Sequence, residues 1–147
     1  MKIQHPSLAL LLGAGLLAAT PLATLAADAG NLIVPRTVHG TTYLNGGVGK
    51  EEESAMHRMA KEYPLRITFS ERKNDEFVVD VPVTIYDAHG KTVFELPKAG
   101  PMLYVKLPEG KYKVRARYEG RVESRTVDLA GAGGKNLYFH WTDKPSA

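Results

Sequence analysis

Between Leu65 and Trp141 the chain repeats one pattern that few folds can satisfy: apolar side chains at every second position, in short runs broken by turn residues. Leu65, Ile67 and Phe69 alternate with Arg66, Thr68 and Ser70, the period-two signature of a strand with one face buried and one in water. Phe77, Val79, Val81, Val83 and Ile85 share a parity, and Pro82, which has no amide to give a ladder, predicts a sheet edge or a bulge near Asp80. "DAHG" at 87–90 reads as a hairpin loop, with Gly90 free to take positive φ. "KTVFEL" returns from it, "KAGP" turns again, and Leu103, Val105 and Leu107 alternate with Tyr104 and Lys106. After Pro-Glu-Gly, one strand carries Tyr112, Val114, Ala116 and Tyr118 on one face; a tight turn at Glu119-Gly120 leads to "VESRTVDL", whose register stays open, and then to "NLYFHW". About seven short strands at this spacing predict a mainly β fold, an antiparallel Greek-key sandwich over residues 65–141. Its expected core is Leu65, Ile67, Phe69, Val83, Ile85, Leu103, Val105, Tyr112, Val114 and Phe139.

One helix is expected before the sandwich. Over residues 50–63, "KEEESAMHRMAKEY", the residues Ala55, Met56, Met59, Ala60 and Tyr63 recur at helical steps, and Pro64 ends the run. An isolated helix of this length is marginal in water, so its apolar face must be covered. The expectation is that it folds back on the sandwich with Met56 and Met59 inward and Glu52, Arg58 and Lys61 in solvent; the alternative is that the face docks on a partner. Residues 27–49 show little period and are expected to be mostly irregular, with a short strand at Thr41 to Leu44.

The amino terminus reads as an export signal. Lys2 precedes the uncharged run "SLALLLGAGLLAAT", and small residues at Thr24 and Ala26 suit cleavage after Ala26, with a cut after Ala27 as the near alternative. The stretch from Leu8 to Ala27 is also just long enough to span a bilayer as an anchor, but Gly13, Gly15, Thr20 and Pro21 interrupt it. A periplasmic or secreted chain with no membrane span after cleavage is the expectation. Removing residues 1–26 from 147 leaves 121, enough for one domain that buries roughly 65% of its unfolded surface. The chain has no cysteine, so apolar packing alone must hold that domain together. Of 19 basic residues only Lys2 leaves with the signal, and all 16 acidic residues stay, for a mature charge of +2. So small a charge gives no reason to expect nucleic acid.

"VPVTIYDAHGKTVFEL" followed by "LPEGKYKVRARYEGRVESRTVDL" resembles the carboxypeptidase regulatory-like, transthyretin-like domains of exported bacterial proteins. The matching positions are Asp87 and Gly90 of the hairpin, then Leu107, Pro108, Gly110, Tyr112 and Val114. The resemblance implies a sandwich that serves as scaffold, accessory module or binder, and one fold of this kind hosts unrelated activities. A hydrolase of purine breakdown shares the fold, but its carboxy-terminal Tyr-Arg-Gly-Ser signature is missing from this chain, which ends "HWTDKPSA".

Motifs that would carry chemistry fail on inspection. "NGGVGKEEES" places Gly49-Lys50 like a phosphate loop, but Leu44 stands where the first glycine belongs and Glu51 where the hydroxyl belongs. Glu51, Glu52 and Glu53 would also occupy the positive end of the helix dipole themselves. No cofactor is expected. His39, His57, His89 and His140 form no metal-ligand spacing, and Glu53 with His57, one turn apart, reads as a solvated ion pair. Ser54, Ser70 and Ser124 lie in no nucleophile elbow.

The candidate site is a face rather than a motif. Lys111, Lys113, Arg115 and Arg117 alternate along one strand, which lines up four cations about 6.5 Å apart, and Arg121 and Arg125 on the next strand are expected to extend the patch. Glu119, Glu123 and Asp128 are expected to neutralise part of it. The patch reads either as charges that prevent edge-to-edge pairing or as a binding surface for an anionic envelope polymer or an envelope protein. The expected function is a non-catalytic binding or structural module of the envelope, with a hydrolase of scattered site residues as the alternative.

Overall fold

The computed structural model describes residues 33–71 and 76–142; the expected signal, and most of the turn expected at residues 71–75, lie outside them. Two sheets face each other, and a helix covers the outer side of one. The first sheet runs from β1 (Arg36–Val38) through β2 (Thr41–Gly46), β7 (Met102–Val105) and β3 (Leu65–Glu71) to β10 (Lys135–Trp141), with β4 (Glu76–Phe77) paired to the end of β3. The second runs β6 (Thr92–Ala99), β5 (Val81–Tyr86), β8 (Gly110–Tyr118), β9 (Arg121–Leu129). Helix α1 (Gly49–Met59) ends in a 3-10 turn over Ala60–Glu62, short of the expected Tyr63. The protein is a mainly β sandwich with one short helix.

The period-two pattern does what it predicts. All ten expected core residues are buried between the sheets, joined by Phe94, Val127, Leu129 and Trp141. Three features depart from expectation. First, β10 pairs with β3 in parallel, Lys135 beside Leu65 and Trp141 beside Glu71, because alternation specifies a face and carries no direction. Second, residues 36–46 are not mostly irregular: the short strand expected at Thr41 to Leu44 is part of β2, which runs on to Gly46, forms a hairpin with β1 and pairs with β7. Third, the shared parity breaks at Asp80, whose φ of 56° turns the chain over, so that Val78 is buried while Phe77 and Val79 face water. Pro82 lies inside the second sheet rather than at its edge, where the β5–β6 register slips between Val81 and Val83, opposite Pro97 and Lys98.

The turns are held by the residues that define them. Asp87 Oδ1 accepts the amides of His89 at 2.9 Å and Lys91 at 3.0 Å, and Gly90 takes φ 77°. In the Leu-Pro-Glu-Gly-Lys-Tyr corner, buried Tyr112 donates its hydroxyl to the Pro108 carbonyl at 2.7 Å. One long side of the sandwich is laced by β2. Thr41 Oγ1 donates to the Val93 carbonyl at 3.1 Å, Asn45 Nδ2 to Lys98 at 3.2 Å, and Asn45 Oδ1 accepts the Gly100 amide at 2.6 Å.

A second, smaller core lies outside the first sheet. Leu44, Met102 and Tyr104 point away from the sandwich and pack with Ile33, Ala55, Met56 and Tyr63, with Met59 half-buried beside them. The helix therefore folds back on its own domain, and Arg58 and Lys61 are exposed as expected. Glu52 is not free in solvent: its carboxylate accepts the Val48 amide at 2.8 Å and closes the helix start. Gly47, at φ 95°, permits the turn into the helix; a Cβ there would meet Met102 Cγ at 2.7 Å.

Met56→Ala should remove a fully buried side chain from this outer core. A loss of about 2–5 kcal/mol, or roughly 10 °C in the thermal melt, is expected; an unchanged melt would remove the helix from the folding unit. The same layer should also fail in alkali. Burial raises the Tyr63 phenol above its ordinary value, helped by Glu62, and raises that of Tyr104 against the lowering influence of Arg66. These neutral phenols contribute stability that is complete below pH 10.0 and is lost as the pH rises through their higher folded values. Melts recorded with tyrosinate absorbance should hold up to that pH and fall above it, whereas ionisation of every tyrosine at its ordinary value without loss of fold would contradict the packing.

Candidate binding face

The sequence "KYKVRARY" forms β8 because its two faces suit two environments. Tyr112, Val114 and Ala116 enter the core, while Lys111, Lys113, Arg115 and Arg117 stand exposed on the outer face of the second sheet. Opposed residues on neighbouring strands share a face, so register identifies the cations' neighbours. On one side Thr84 lies beside Arg115 and Tyr86 beside Lys113. On the other, Val122, Ser124, Thr126 and Asp128 lie beside Arg117, Arg115, Lys113 and Lys111 in turn. Asp128 is thus the one carboxylate directly opposite a cation of the stripe.

Arg121 and Arg125 do not extend this patch. Arg121 pairs with Tyr118 and Arg125 with Val114, which turns both to the inner side of the sheet. There they close the second long side of the sandwich. The Arg125 guanidinium lies over the Phe139 ring at 5.2 Å and meets Glu123 at 2.8 Å, and Trp141 Nε1 donates to the Arg121 carbonyl at 3.2 Å. Glu123, opposite Ala116, faces inward too and so does not neutralise the stripe. Among the described residues the one close ion pair is Glu123 with Arg125. The turn holds the signal for this arrangement: Glu119 and Gly120 have φ of 48° and 75°, a two-residue hairpin that sets Tyr118 opposite Arg121.

At the hairpin end of the stripe an open depression of about 870 Å³ is lined by Tyr86, Asp87, Lys111, Lys113, Thr126 and Asp128, among others. The remaining candidates lie elsewhere. His39 sits in the β1–β2 turn, His57 on the exposed side of the helix and His89 in the Asp87 hairpin, and among the described residues no three potential metal ligands converge. His140 and Ser70, paired across β10 and β3, share a hydrogen bond of 2.9 Å between Nδ1 and Oγ. Sequence reasoning missed that pair, because the parallel pairing that creates it is not written in either strand. It also missed Arg66, which donates to the carbonyls of Ala60, Tyr63 and Gly133 and to Asn136 Oδ1, fastening the helix end to the loop before β10.

No family model matches the chain, and no curated protein matches it. Among solved structures it is similar to the Bacillus anthracis TIE protein, at 18% identity and a TM-score of 0.36, over 54% of this chain and 16% of that one.

The two sets of cations should separate in a stability experiment. Lys111→Gln, Lys113→Gln, Arg115→Gln and Arg117→Gln, made singly, should each leave stability within about 0.5 kcal/mol of the parent, since each side chain stands in water. Arg125→Ala, a single change, should cost about 1 kcal/mol by uncovering Phe139 and stranding Glu123. The reverse order of effects would refute the assignment of faces.

Proposed function

We propose that this protein is a non-catalytic, exported sandwich module that binds an anionic polymer of the bacterial envelope along the outer face of β8. The observation that supports this reading most directly is the run of four exposed cations, none of them in a close ion pair among the described residues. Their even spacing gives a stripe about 20 Å long. A polymer with repeated negative charge can engage such a stripe at several points, and Thr84, Tyr86, Ser124 and Thr126 offer hydroxyls beside it. Resemblance to the carboxypeptidase regulatory-like domains, which act as accessory modules and binders, supports the same reading, as does the export signal expected over residues 1–26.

Attraction of this kind weakens with salt. Binding of the mature chain to immobilised heparin, and to lipopolysaccharide, should fall as salt rises. It should fall by about tenfold or more at ~0.1 M salt when Lys111, Lys113, Arg115 and Arg117 are all Gln. The same change at Arg36, Arg58, Lys61 and Lys98, exposed residues elsewhere, removes equal charge and should have little effect. Equal losses in the two variants would overturn the proposal.

A hydrolase reading draws on one observation, the Ser70–His140 hydrogen bond. Nucleophilic catalysis also needs a group that orients the histidine and donors for an oxyanion, and among the described residues no side chain is seen holding the other ring nitrogen. Ester or peptide turnover that disappears in Ser70→Ala would favour this second reading over ours.

A further inference from the structure

A sandwich has four sheet edges, and three of these are guarded. β1 is only three residues long. β6 contains Pro97 and exposes Glu95 and Lys98. β9 turns Arg121, Glu123 and Arg125 inward, a placement that disfavours pairing with another strand. The fourth edge, β10, is seven residues long and carries no charge after Lys135: Asn136, Leu137, Tyr138, Phe139, His140, Trp141. Among the described residues it pairs with β3 alone.

The edge offers a definite set of hydrogen-bonding groups. The Lys135 amide donates to the Pro64 carbonyl at 2.7 Å, so its N–H points toward β3. Amides alternate along a strand, and those of Asn136, Tyr138 and His140 therefore point to the open side. Their carbonyls point the same way. Tyr138 is also 66% exposed, more than any other large hydrophobic side chain among the described residues.

We propose that β10 pairs antiparallel with β10 of a second copy, about a twofold axis through Tyr138, and joins the two first sheets into one. An isologous contact must be compatible with itself, and this strand is. With Tyr138 facing its equivalent, Asn136 faces His140 of the second copy, Leu137 faces Phe139, and Lys135 faces Trp141, so no like charges are opposed. On the outer face, amide and imidazole meet side by side with a phenol at the centre. A strand with one terminal cation and no anion carries little charge pattern to select a foreign segment, which favours self-pairing over a different partner. The stripe on β8 belongs to the other sheet and stays free in both copies.

Sedimentation of the mature chain across micromolar concentrations should show a monomer–dimer equilibrium. Tyr138→Lys sets two cations opposite each other at the axis and should give monomer, as should Tyr138→Glu, while an equimolar mixture of the two should recover a heterodimer. A cysteine-free chain allows a second measurement that does not rely on losing assembly. Opposed residues of a hydrogen-bonded antiparallel pair lie about 5.5 Å apart between Cα atoms, within disulfide reach. Tyr138→Cys should cross-link to a dimer on mild oxidation, and Thr126→Cys, exposed on the second sheet, should not. A wild-type chain that stays monomeric, species larger than the dimer, a dimer that survives Tyr138→Lys, or equal cross-linking at both cysteines would each overturn the proposal.

Discussion

Strand β7 is buried on both faces, and the rest of the molecule is organised around that fact. Leu103 and Val105 enter the sandwich core; Met102 and Tyr104 enter the smaller core beneath the helix. A slip of one residue would exchange the two sets and empty both cores at once. In a chain without cysteine this double burial takes the place of a covalent staple. It also explains the close turns nearby: Gly47 sits against Met102, and the Phe69 amide donates to the Pro101 carbonyl at 2.9 Å as the chain enters β7.

The second sheet shows how one hairpin can divide similar side chains between two tasks. On β8 the cations face water and cost the fold little. On β9 two arginines face the gap between the sheets, one covering Phe139 and the other leaving its carbonyl to Trp141. Together with the β2 hydrogen bonds on the opposite side, they seal the two open flanks of the sandwich. Net charge is unchanged by this division, yet the two arginines are withdrawn from the outer face, leaving four cations there.

Much of this was legible in the sequence wherever a side chain reports its own environment. Leu65, Ile67, Phe69, Val114 and Phe139 announce buried faces, and Asp87 with Gly90 announces a hairpin. Features that depend on the relation between segments were harder to read. The direction of β10 relative to β3 leaves no trace in alternation, so neither the parallel pair nor the Ser70–His140 contact could be foreseen. β2 has few apolar residues, yet Tyr43 and Leu44 are buried on opposite faces because a sheet lies on one side and the helix on the other. The inward turn of Arg121 and Arg125 was recoverable in principle, since the two-residue turn at Glu119-Gly120 fixes the pairing; charge alone suggested the opposite face.

Whether the outer face of β8 is the binding surface can be read residue by residue. A titration of the isotopically labelled mature chain with a short anionic oligosaccharide, followed by amide and side-chain resonances, reports each strand separately. The account predicts shifts at Lys111, Lys113, Arg115 and Arg117 and at Thr84, Tyr86, Ser124 and Thr126 beside them. Shifts centred on Arg121 and Arg125, or spread evenly over all exposed cations, would contradict it.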